Sequence, residues 1–96
     1  PSNECLVSVP FTAKAGVDVE RMKADIVSTV EQATVGLANP QYKPVVKLNG
    51  FTPYGIDGTI YAFAKNDLIL STMADAVAQA IAHADYLEHR AVGSGE

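Results

Sequence analysis

The chain has a single cysteine, Cys5, among its 96 residues. That excludes an internal disulfide and any zinc site built from several cysteines. Histidine is almost as scarce, with only His83 and His89. No HxH, HExxH or Cys/His cluster occurs, so no transition-metal site is expected. Basic residues are outnumbered, seven against eleven acidic, for a net charge of −4. Nucleic-acid binders normally carry a basic face, and anionic lipid is met by polybasic segments; neither is present. Long apolar runs are also missing. The longest charge-poor stretch, residues 68–82, is interrupted by Ser71, Thr72, Asp75 and Gln79. A membrane span needs ~20 mostly apolar residues, so this chain is not expected to cross a bilayer itself. The first residues lack a basic start and an apolar run, so no signal peptide is expected either.

What is present fits one domain. The apolar fraction is 48% and the mean hydropathy +0.10, enough to bury a core. Length allows a single domain, in the size range where only ~60–65% of the unfolded surface is buried. No internal repeat, low-complexity tract or linker breaks the chain. Charge is uneven: residues 1–48 hold five basic and five acidic groups, residues 49–96 two and six.

Residues 5–11 alternate, with Cys5, Val7, Val9 and Phe11 on one side and Leu6, Ser8 and Pro10 on the other. That period of two predicts a strand. Pro10 has no N–H to give a ladder, so the strand ends near it or has a free edge there. Residues 12–16 read as a turn. Asp18 is placed as a helix N-cap, with Val17 and Met22 forming a hydrophobic staple. Val19, Met22, Ile26, Val30, Ala33 and Leu37 follow at spacings of three and four, one face of a helix. Gly36 closes it and Pro40 stops it.

A second strand is predicted over 45–51 and a third over 56–65, joined by the turn residues Thr52, Pro53, Tyr54 and Gly55. In the third, Ile56, Gly58, Ile60, Ala62 and Ala64 form one face. Asp57, Thr59, Tyr61, Phe63 and Lys65 form the other. A last helix starts near Asn66 or Asp67, with a stripe of Ile69, Met73, Ala76, Val77, Ala80, Ile81 and Ala84. Residues 85–92 read as a short strand leading out, or as cover for the Tyr61/Phe63 face.

The order strand, helix, strand, strand, helix predicts an α+β, ferredoxin-like βαββα(β) sandwich. Its mixed sheet would carry both helices on the face of Gly58, Ala62 and Ala64. The opposite face, with Tyr61 and Phe63, needs a cover. Together with the charge-poor last helix it predicts an oligomer interface through Tyr61, Phe63, Ile69 and Met73.

Catalytic candidates are few. His83, at a helix end, and His89 read as surface or structural, and Cys5 as a small buried apolar residue. Phosphate loops and calcium-loop patterns are absent. Pro1 alone points to an enzyme, since small βαβ tautomerases use an N-terminal proline amine as base. There the strand follows the proline at once and an arginine lies nearby. Here Ser2, Asn3 and Glu4 intervene, and the only arginines are Arg21 and Arg90. No enzymatic activity, metal or cofactor is expected. A small ligand-binding or regulatory module is the other reading, with loops 12–16 and 52–55 supplying a pocket.

Taken together, these segments resemble the cytoplasmic α/β domain of the small-conductance mechanosensitive channel (MscS-like) family, over residues 4–92. The likeness rests on VSVPF (7–11), DVERMKADIVSTVEQA (18–33), PVVKLNGF (44–51), GIDGTIYAFAK (55–65) and MADAVAQAIAHA (73–84). The family often continues through a proline-containing segment into a β-barrel strand, where this chain has residues 85–90 without proline. The resemblance implies a homo-oligomer, a heptamer, whose soluble vestibule surrounds an ion path. It implies attachment to the cell membrane only through segments absent from this chain, with this domain on the cytoplasmic side.

Overall fold

The computed structural model describes residues 5–82, 84, 86 and 87. The chain runs β1 (Leu6–Ala13), α1 (Val19–Ala33), β2 (Val45–Thr52), β3 (Gly55–Phe63) and α2 (Leu70–Ile81). The sheet has the order β1-β3-β2, and both pairings are antiparallel. The mixed sheet expected from the sequence is therefore replaced by a wholly antiparallel one. β1 and β2 do run in the same direction, but β3 lies between them, so no parallel ladder forms.

Alternation decides which side is buried. Val7, Val9, Phe11 and Ala13 of β1 and Ile56, Ile60 and Ala62 of β3 are all in the core. They meet Met22, Ile26 and Val30 of α1 and Met73, Val77 and Ile81 of α2. Both helices thus cover one face of the sheet, and among the described residues the other face carries none. β1 runs two residues past the expected end, through Thr12 and Ala13, which continue the ladder with Asp57 and Ile56.

Asp18 caps α1, its carboxylate accepting from the Arg21 amide at 3.2 Å. Such a cap contributes about 1 kcal/mol. The apolar stripe of α1 ends differently from its prediction. Ala33 is exposed and Thr34 is buried in its place. Met22, Ile26, Val30 and Thr34 are four residues apart, the step that stays on this face. Thr34 is tolerated there because its hydroxyl donates to the Val30 carbonyl at 2.7 Å, leaving no buried polar group unpaired. Gly36, at φ +86°, then turns the chain out of the helix.

Asn66 caps not α2 itself but a single 3-10 turn, Asp67–Ile69, accepting from the Leu68 amide at 3.0 Å. β2 carries a bulge between Leu48 and Gly50, which leaves Asn49 free to donate to the Thr59 hydroxyl at 3.0 Å.

Candidate interaction surface

The helix-free face is assembled by register. On β3 it presents Asp57, Thr59, Tyr61 and Phe63. Leu6 lies beside Phe63, Ser8 and Val45 flank Tyr61, Pro10 and Lys47 flank Thr59, and Thr12 lies beside Asp57. Side chains directly opposite on one face touch, so this register fixes two distinct halves. At one end, Thr12 donates to Asp57 Oδ1 at 2.9 Å and Asn49 donates to Thr59. That half is polar and internally hydrogen-bonded.

The other half is apolar and aromatic. The Tyr42 ring lies 4.9 Å from that of Phe63, tilted by 38°, a separation at which aromatic pairs attract beyond their simple burial. The loop bearing Tyr42 is held there by the Asn39 amide, which donates to the Phe63 carbonyl at 2.8 Å. Leu6, Tyr42 and Val45 are 37%, 43% and 52% exposed. Tyr61 and Phe63 between them are half-buried. Apolar residues scattered singly over a surface are ordinary; here five lie side by side on the face that no helix among the described residues covers.

The four residues expected to form one interface do not come together. Tyr61 and Phe63 lie on the open face. Ile69 sits on the helix side, half-buried against the core. Met73 is fully buried beneath α2. The spacing that gave α2 its stripe turns Met73, Val77 and Ile81 inward together, so Met73 is lost to any partner. What α2 shows to solvent is Ser71, Thr72, Asp75, Ala78 and Gln79. These are small or polar, and Gln79 donates to Asp75 at 2.8 Å. The scarcity of charge on this helix does not make an apolar patch. Sequence reading missed Tyr42, Leu6 and Val45. Only the register of β1 and β2 against β3 reveals the last two, and Tyr42 lies in a loop without periodicity.

The C-terminal segment does not cover the open face where it is described. Leu87 bridges Ala13 on the outer edge of β1 and joins the core. Tyr86 lies against α1. Burial raises its phenol above the ordinary value near 10, the charge of Asp25 adds to this, and a hydrogen bond with the Thr29 side chain acts the other way. A raised value in the folded state means stability that is complete below pH ~10 and is lost as pH climbs through the folded value. In alkaline denaturation, Tyr86→Phe should flatten the fall in stability above pH 10 without altering its course between pH 7 and 9. An unchanged alkaline slope would refute this docking of Tyr86.

Of the catalytic candidates, Cys5 is free and half-buried, and its carbonyl accepts from the Ala64 amide at 2.8 Å. Arg21 is exposed on α1. Pro1, His83, His89 and Arg90 lie outside the described residues. Among the described residues, no three His, Cys, Asp or Glu side chains gather as a metal site would need. No helix among them is long and apolar enough to cross a membrane. The chain matches no protein-family model, no curated protein and no solved structure.

Proposed function

We propose that this chain is a non-enzymatic assembly domain, the ferredoxin-like cytoplasmic α/β unit of an MscS-like mechanosensitive channel. It joins copies of itself around an ion path through the uncovered face of its sheet. The observation that carries this reading is the aromatic half of that face, Tyr42, Tyr61 and Phe63 with Leu6 and Val45. The ferredoxin-like assignment is supported by the strand order β1-β3-β2 and by Leu87, which stands on the outer edge of β1 where a fourth strand would run. The channel itself, its sevenfold symmetry and its membrane attachment rest on the sequence resemblance alone. Membrane contact would come from segments outside this chain.

Light scattering on the chain and its variants tests the assembly role. The parent should associate as concentration rises. Tyr61→Asp and Phe63→Asp should each leave a monomer with unchanged circular dichroism, since these side chains contribute little to the helix-side core. A parent that stays monomeric at millimolar concentration, or variants that associate as before, would sink the proposal. The coding sequence upstream of Pro1 tests the channel: three apolar spans and a β-rich segment support it, and a catalytic domain there ends it.

A further inference from the structure

Two residue pairs set a side-chain carbonyl carbon beside an unhindered amide, Asn49-Gly50 and Asp57-Gly58. They face each other across the hairpin, with Gly50 opposite Asp57. Glycine has no Cβ to keep its nitrogen away from the preceding side chain. The other asparagines lack that combination. Asn39 precedes Pro40, whose nitrogen carries no hydrogen. Asn3 and Asn66 precede residues with side chains, Glu4 and Asp67. Asn39 and Asn66 also accept from the Gln41 and Leu68 amides, at 2.9 and 3.0 Å.

The fold treats the two glycine pairs differently. Gly58 is buried between Phe11 of β1 and Leu48 of β2, so ladders hold it on both sides. A Cβ built on it would run into the Phe11 ring and the Lys47 carbonyl. The Asp57 carboxylate is occupied, accepting from the Thr12 hydroxyl at 2.9 Å. Asn49, by contrast, is the extra residue of the β2 bulge. Leu48 pairs with Gly58 and Gly50 with Asp57, which leaves Asn49 no opposite residue on β3. A bulge is a place where the ladder is locally broken. Asn49 and Gly50 are both exposed, and nothing lies within 4 Å of a Cβ built on Gly50. β2 is an outer strand of the described sheet, and its ladder ends two residues on, at Thr52. Segments of that kind open at little cost.

We infer that Asn49 is a site of spontaneous modification, where the chain reacts with itself while the fold keeps Asp57 from doing so. The Gly50 amide nitrogen attacks Cγ of Asn49 and gives its proton to water. The new C–N bond forms, the bond from Cγ to Nδ2 breaks, and ammonia leaves with a proton taken from solvent. The product is a five-membered cyclic imide. Water then adds to one of its two carbonyls. Opening at Cγ restores the original main chain and leaves aspartate. Opening at the main-chain carbonyl leaves isoaspartate, with the side-chain carbons now in the main chain. Water enters and ammonia leaves, so no oxidant, metal or cofactor is consumed.

Either product adds one negative charge to the net −4, on the polar half of the open face. The aspartate keeps the contact with Thr59. That hydroxyl accepts from the Asn49 amide at 3.0 Å, and a hydroxyl can equally donate to a carboxylate. The extra main-chain atom of isoaspartate falls at the bulge, where β2 already carries one residue more than β3. The aromatic half of the face is untouched, and the reaction needs no association between copies.

Peptide mapping by mass spectrometry is the test, on the full chain held folded in neutral buffer at physiological temperature. A parallel sample is held in guanidinium chloride, where both pairs are released and their conversion rates set a reference ratio. In the folded chain the ratio of Asn49 conversion to Asp57 isomerisation should rise about 10-fold or more, because a hairpin's end opens more readily than a ladder's interior. The Asn49 peptide should split into two acidic isomers, while the peptides holding Asn39 and Asn66 stay intact. Gly50→Ala should fold as the parent does and slow the conversion about 10-fold, since the added methyl crowds the attacking nitrogen. Asn49 that stays intact in the folded chain while converting in denaturant would overturn the inference, because β3 would then hold Gly50 as firmly as Gly58. So would a folded-state ratio equal to the reference, which would route the reaction through global unfolding.

Discussion

Ile60→Ala and Ile26→Ala should each lower the free energy of unfolding by about 2–5 kcal/mol in chemical denaturation, the range for truncating a buried isoleucine. Both side chains are fully buried, and they come from the two layers that make the core. Ile60 is central in β3, paired with Val9 on one side and Val46 on the other. Ile26 is the middle residue of the α1 stripe between Met22 and Val30. Ile60 is flanked by paired strands and Ile26 by turns of its own helix on both sides, which limits how far the surroundings can collapse into a cavity left by either. For a domain whose whole stability is on the order of 5–15 kcal/mol, such a loss is a large fraction. Glu31→Ala should change stability by less than ~0.5 kcal/mol. Its partner Lys43 is 3.8 Å away, with side chains 42% and 81% exposed, and exposed ion pairs contribute little. Comparable losses in all three variants would mean that α1 buries another face.

The parts of the fold that sequence made legible are those where one local pattern has one outcome. Ile56, Gly58, Ile60, Ala62 and Ala64 alternate without interruption, and all are buried. Asp18 is the residue type that accepts from a free helix N–H, and it does so. Two of three departures, at Pro10 and Met73, share a cause, which is that the deciding partner is remote in sequence, while the third, at Thr34, turns on a partner one helical turn away. Pro10 does not end β1, because its missing N–H points to the outer edge and leaves the β3 ladder whole. Thr34 replaces Ala33 in the core because its hydroxyl finds Val30, whereas hydropathy favours the alanine. Met73 reads as surface when charge alone is counted, and as core once the sheet beneath α2 is known. The candidate surface was half legible. Tyr61 and Phe63 follow from strand alternation, but Tyr42 is brought to Phe63 by a loop, across 21 positions.

Gly55→Ala is expected to be among the most damaging single substitutions, though it adds one methyl at a turn. Gly55 opens β3 directly after the two-residue connection Pro53-Tyr54, with φ +146°. Side-chain-bearing residues rarely adopt that region, and holding one there costs ~1–3 kcal/mol. A Cβ at this position would also run into the carbonyl of Ala13. That carbonyl cannot withdraw cheaply. Ala13 is fully buried, its strand is paired with Ile56 beside the turn, and the next amide, Lys14, holds Tyr86. Relieving the overlap therefore means opening the end of the β1–β3 ladder or the docking of the C-terminal segment. The combined loss should be roughly 3 kcal/mol or more, since both strain and broken pairing contribute. At ~4–8 °C per kcal/mol for a domain of this size, the thermal midpoint should fall by ~12 °C or more. Gly50→Ala is the control. It sits in the same hairpin, at the bulge, with nothing within 4 Å of an added Cβ, and it should be neutral or slightly stabilising. Thermal unfolding of the two variants side by side separates the causes. If Gly55→Ala melts within ~3 °C of the parent, as Gly50→Ala should, the positive φ and the close approach to Ala13 do not hold this turn.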